Sequence, residues 1–185
     1  FQGDRQQVAL KVPANAWLGG SLTGAVTIKW EEYLHVSGRV NGRGLKTGMI
    51  DGTWQGTVNG DASFYLQGSP SGSGIGGAGL DVSLHDSTFR DRPVRGVIKA
   101  AYEKGTLRLA RLFLQGRGFD LEAQGVLQER IGFVANIQDL SSVVPGAAGS
   151  FSGNGWLRYK KDDLAGKVSG SGEAIEHGAM RIGRV

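Results

Sequence analysis

The sequence predicts an all-β chain: an extended, curled, largely antiparallel sheet that forms an apolar trough, with one or two short helical turns. Three observations carry this. Apolar residues recur at every second position over most of the 185 residues, which is the period of a half-buried strand. Glycine, at 32 residues, falls largely on the same parity as the apolar side chains, a choice that weakens a strand unless that face wants bare backbone. Helical signal is confined to "DLSSVVP", where Asp139 can cap one turn and Pro145 can close it.

The elements follow in order. Val8, Leu10 and Val12 share one parity, then Leu22, Gly24, Val26, Ile28 and Trp30, then Leu34, Val36, Gly38, Val40 and Gly42. A run over Ile50, Gly52, Trp54, Gly56 and Val58 comes next, followed by Phe64 and Leu66, and by Ala78, Leu80, Val82 and Leu84. Val94, Gly96, Ile98, Ala100 and Tyr102 continue the pattern; Phe119, Leu121, Ala123 and Leu127 precede Ile131, Phe133, Ala135 and Ile137. In "TLRLARLFLQ" the phase slips, with Leu107 and Leu109 odd and Leu112 and Leu114 even. A β-bulge at Ala110-Arg111 restores it. In "GSFSGNGWLRYKK", residues 149–161, the glycines again sit with Phe151, Leu157 and Tyr159. They are expected to leave room, either for tight curvature or for something lying in the trough.

The chain also repeats itself. "GSLTGAVTIKWEE" at 20–32 matches 149–161, and "GRVNGRG" at 38–44 matches "GKVSGSG" at 166–172, with "GTVNGDA" at 56–62 a looser relative. Such self-similarity predicts a sheet that extends by repetition. Phe1-Gln2-Gly3 read as the remnant of a cleavable tag, and residues 4–185 as one continuous repetitive segment excised from a longer chain.

Composition excludes several classes. The net charge of +4 is mild, and the bases alternate with apolar residues, as Lys29 beside Ile28 and Arg158 beside Leu157. That is the pattern of a solvated face, and no nucleic-acid partner is expected. With no cysteine, disulfides and thiolate chemistry are out. His35, His85 and His177 have no ligand spacing and read as surface residues. Asp162-Asp163, beside Lys160 and Lys161, read as a charged hairpin tip. "GIGGAG" at 74–79 fits a phosphate-loop pattern but precedes a strand, so it lacks the helix N-terminus that mechanism needs. No catalytic, metal or cofactor site is expected, and no enzyme activity. What remains is one apolar face and one polar face, with no helices to cover the former. The parity within each run places Leu107, Leu109, Phe119, Leu121, Leu127, Ile131, Phe133, Ile137, Phe151, Leu157 and Val168 on one concave surface, the expected groove.

The stretch "LEAQGVLQERIGFVANIQDLSSVVPGAAGSFSGNGWLRYKKDDLAGKVSGSGE" resembles the TamB family, the inner-membrane component of the translocation and assembly module, related to AsmA-like proteins. The shared pattern is a strand ending in a-x-G, a strand leading into "DLS", a short turn, then "GSFSGNG" and a further glycine-rich strand. It covers residues 105–173 closely and 8–60 more loosely. Where the family often has a proline-bearing segment, this chain has "DDLAGKV". The resemblance implies a periplasmic β-trough of a Gram-negative bacterium, anchored to the inner membrane by a helix outside this segment. It implies conduction of phospholipid acyl chains between the two membranes and support of outer-membrane protein assembly. The implied partners are an Omp85-type outer-membrane barrel and adjacent segments of the same protein. The competing reading is a structural β-solenoid or sandwich that binds protein through its strand edges.

Overall fold

The computed structural model describes residues 2–3, 6–30, 32–50, 52, 55–68, 74–144, 146–177 and 180–184. Among the described residues, thirteen strands form one sheet: β1 (Gln2–Gly3), β2 (Gln7–Trp17), β3 (Gly20–Trp30), β4 (Leu34–Lys46), β5 (Gly56–Gly68), β6 (Ile75–Phe89), β7 (Arg92–Glu103), β8 (Thr106–Gly116), β9 (Phe119–Val126), β10 (Arg130–Ile137), β11 (Ala147–Lys160), β12 (Asp163–His177) and β13 (Met180–Arg184). Each strand pairs antiparallel with its neighbours in sequence, and the curled sheet does not close into a barrel. This meander is neither the solenoid nor the sandwich of the competing reading.

The hairpin turns explain why the order is so simple. Four of them use two residues with positive φ: Leu18-Gly19, Arg90-Asp91, Lys104-Gly105 and Lys161-Asp162. That geometry matches the right-handed twist of the flanking strands. Asp162 and Asp163 thus lie at a hairpin tip, as expected, and "GIGGAG" opens β6 rather than a helix.

Register sets the faces, because residues directly opposite point the same way. Val12, Gly24, Val40, Ala62, Val82, Ile98, Leu112, Ala123, Phe133, Gly155 and Val168 stand opposite one another in succession from β2 to β12. The row on one side runs from Leu22 through Leu84, Leu114 and Leu121 to Gly170; the row on the other runs from Leu10 through Phe64, Leu109 and Ile131 to Gly166. From β3 to β12 only apolar residues and glycines occupy the three rows; on β2, Asn15 pairs with Leu22 at the end of one of them. The opposite face carries most of the charges and polar groups, Arg39, Asp81, Lys99 and Glu122 among them.

The bulge at Ala110-Arg111 is present: these two residues oppose Gln124 alone, between the pairs Leu109–Gly125 and Leu112–Ala123. Similar irregularities occur at Pro13-Ala14 on β2, Arg43-Gly44 on β4, His85-Asp86 on β6 and Ala174 on β12. All lie on even-numbered strands, which run in one direction. Each extra residue adds right-handed twist, so repetition on parallel-running strands compounds the curl.

The repeat has a structural meaning too. Gly38, Val40 and Gly42 of β4 occupy the same three rows as Gly166, Val168 and Gly170 of β12. The β3 and β11 copies are offset by one row. The looser copy lies on β5, which runs opposite to β4.

One expectation needs correction. The strand over residues 50–58 begins only at Gly56: Thr47–Met49 form a 3-10 turn, and Ile50 N–H bonds back to Thr47 O at 2.9 Å. Local closure won there because Gly48 and Gly52 leave little for a ladder partner to pack against; Trp54 lies outside the described residues. The turn at "DLSSVVP" is also 3-10, over Leu140–Ser142, with the Asp139 side chain accepting from Ser141 N. Asp139 caps it as expected, while Pro145 lies outside the described residues.

Candidate functional site

The apolar face is the candidate site. Its glycines are seats rather than gaps. Phe64 faces Gly38, Phe119 faces Gly116 and Phe133 faces Gly155. A Cβ on Gly38 would stand 2.7 Å from Phe64 Cζ, one on Gly155 2.5 Å from Phe133 Cζ, and one on Gly116 would run into the Phe119 ring. Phe151 leans across Gly153 on its own strand and Gly170 on the next. The expectation that these glycines leave free room is corrected: rings that tip across to a neighbouring strand fill it. Each such cross-strand pair adds about 0.2–1 kcal/mol.

Register brings ten of the expected groove residues onto this face. Leu109, Ile131 and Leu157 share one row; Phe133 and Val168 share the next; Leu121 lies in the third. Phe119, Ile137 and Phe151 lie beyond it, and Leu107 pairs with Tyr102 at the opposite rim. Leu127 is the exception, sitting in the β9–β10 turn. Its backbone N–H donates to Leu107 O on β8 and its carbonyl accepts from Tyr159 N on β11, both at 2.9 Å. One residue thus spans the gap that two strands fill elsewhere, and the sheet narrows at that rim.

The face is only partly covered. Phe119 is 6% exposed and Ala135 6%, but Leu107 and Leu157 are each 37% exposed and Val168 60%. A sandwich core would bury all of them. Among the described residues no second layer lies over this face.

At the other rim a polar clasp holds the connection between β10 and β11. Arg92 Nη2 reaches Asp139 Oδ2 at 2.7 Å, and Arg90 Nη1 donates to Ser141 O at 2.8 Å. Gln138 N–H donates to Gly118 O at 2.8 Å, so the clasp spans the β8–β9 turn. The Ser141 hydroxyl first, and the Arg92 guanidinium second, hold the Asp139 carboxyl below the usual carboxylate range. On the polar face, Asn41 and then His85 do the same for Asp61. His85 Nε2 is 3.2 Å from Asp61 Oδ2, and His35 stacks on Tyr65. The side chain of His177 lies outside the described residues. Among the described residues, no group of three or more His, Cys, Asp or Glu could hold a metal ion.

A hollow of about 700 Å³ lies on the polar face over β8–β12. A twisted sheet is saddle-shaped, so each face is concave along one diagonal. The hollow was not expected from sequence, although a signal for it exists: Phe113, Val134 and Trp156 are large apolar residues on the polar parity.

No family model, curated protein or solved structure matches the chain. The sheet itself offers two candidate surfaces: a broad, open apolar one on one side, and a charged hollow on the other.

Proposed function

We propose that this chain is a non-catalytic segment of a lipid-conducting trough, and that phospholipid acyl chains lie on its apolar face. The carrying observation is the uninterrupted apolar register from β2 to β12 on a face with no second layer among the described residues. Ten inter-strand steps of about 4.8 Å give a track of roughly 48 Å. That exceeds one leaflet's hydrocarbon depth, about half of a ~30 Å core. An acyl chain therefore has no single end point on this surface. With no polar residue along the rows from β3 to β12, successive positions are close in energy, which suits passage more than capture.

The energetics fit a conduit. Burying a methylene is worth about 0.8 kcal/mol, so a sixteen-carbon chain on a dry surface gains on the order of 10 kcal/mol. An open face leaves one side of the chain wet and returns less, which keeps release possible. Transport between the membranes of a Gram-negative bacterium, an inner-membrane anchor elsewhere in the protein, and partnership with an Omp85-type barrel extend this reading through the resemblance to the TamB family.

A photo-crosslinking residue in place of Phe133, in the full-length protein in cells, tests the proposal. Phospholipid captured at Phe133 and not at Arg158, on the opposite face, is the expected result. Capture of protein alone at Phe133, or of lipid only at Arg158, overturns it.

A further inference from the structure

The hollow on the polar face has features that a merely solvated surface does not need. Arg111 and Arg130 line it, with their guanidinium carbons 5.7 Å and 5.0 Å from the ring centroids of Phe113 and Trp156. A guanidinium held on a ring keeps its in-plane N–H groups free for an oxyanion, and loses less side-chain freedom when one binds. Lys167 adds a third cation, and Glu122 is the only carboxylate in the lining. Among the described residues, no carboxylate pairs with Arg111, Arg130 or Lys167. The floor is Gly132. A Cβ there would meet nothing closer than 3.9 Å, and only backbone oxygens at that distance. On the apolar face rings cover the comparable glycines beside Phe64 and Phe133; this one is uncovered.

We propose that this hollow binds a ligand through oxyanion groups, carboxylate or phosphate, seated over Gly132 between the guanidiniums of Arg111 and Arg130. The two arginines lie on strands two steps apart, roughly 10 Å, and Arg130 is a further two residues out of register with Arg111. The preferred ligand therefore carries at least two anionic groups. The volume is that of a small-molecule site. This site is on the opposite side of the sheet from the acyl-chain surface and does not depend on it.

The test uses the ¹⁵N-labelled chain and the indole N–H signals of its four tryptophans. Citrate and inorganic triphosphate are titrated separately, at ionic strength held constant with sodium chloride, because screening alone moves exposed charges. The expected result is a saturable shift of the Trp156 signal while Trp17, Trp30 and Trp54 stay still. Tighter binding of citrate assigns a carboxylate ligand, and tighter binding of triphosphate a phosphate one. Arg130→Gln should weaken binding at least tenfold. Gly132→Val, which fills the floor and leaves every charge in place, should do the same, with circular dichroism confirming the sheet. If neither probe gives a saturable shift, or if Gly132→Val binds as tightly as the unsubstituted chain, there is no seat and the proposal is wrong.

Discussion

The ring of Phe133 on β10 leans across the α-carbon of Gly155, its register partner on β11. This relationship explains why glycine shares a face with the largest apolar groups. A ring that lies down needs a neighbour without a side chain, and only glycine supplies one. The alternative, rings standing upright on a face with no second layer, would expose more apolar surface and corrugate it.

Replacing Gly155 with alanine should therefore cost about 1–3 kcal/mol, the range for overpacking. The new Cβ would stand 2.5 Å from Phe133 Cζ and would also run into the Lys167 carbonyl. Adding Phe133→Leu should recover part of the loss, since it frees the ring contact and not the carbonyl. Gly132→Ala, one residue from Phe133 on the other face, has 3.9 Å of clearance and should stay within about 0.5 kcal/mol. Urea melts of these three variants and the unsubstituted chain check the set.

Deleting Ala110 should be tolerated. The bulge places Ala110-Arg111 opposite Gln124, so removal leaves Leu109–Gly125 and Leu112–Ala123 paired as before. On β7, Lys99–Arg111 and Ala100–Leu109 become consecutive pairs. Stability should fall by no more than about 1 kcal/mol, with the local twist relaxed. Deleting Phe113 instead shifts the end of the strand by one and sends Leu114 to the polar face. That variant should fail to give a cooperative thermal melt.

Much of this arrangement was legible in the sequence. Parity alone assigned Leu109, Leu121, Phe133, Phe151 and Val168 to one face, because a strand's period is fixed by its backbone. The phase slip in "TLRLARLFLQ" located the bulge for the same reason. Three things were not legible. Leu127 keeps the parity but sits in a turn, held by backbone partners on β8 and β11, and parity carries no information about such partners. The glycine seats depend on which strand lies next to which. The hollow needs Arg130, Trp156 and Lys167, from three different strands, to be placed side by side.

The clasp predicts an acid-sensitive rim. The Asp139 carboxyl is held below its ordinary range by Ser141 and then Arg92. A carboxylate so depressed contributes stability above its unfolded pKa, about 3.9, and loses it as pH falls through the folded value. Asp139→Asn should lower stability near neutral pH and narrow its gap to the unsubstituted chain below about pH 4. Urea melts stepped from about pH 6 to about pH 3 check this. A constant gap across that range would show that Asp139 acts through packing and not through its charge.

A charge placed on the apolar face separates an open trough from a packed one. Leu121 lies on β9 between Leu114 and Ala135, in a row without polar residues from β3 to β12. An aspartate there loses apolar contact and sits beside hydrocarbon, where it draws in water or takes up a proton. On an open face the carboxylate reaches solvent, so Leu121→Asp should cost less than the roughly 3–5 kcal/mol of a stranded buried charge. The chain should fold and reach normal abundance. An acyl chain crossing that row would have to pass a hydrated carboxylate, so lipid capture at a crosslinker in place of Phe133 should fall by about tenfold, the effect of about 1.4 kcal/mol at that row. Depletion of the protein would mean that something packs over Leu121. Normal abundance with undiminished capture would mean that acyl chains do not cross its row.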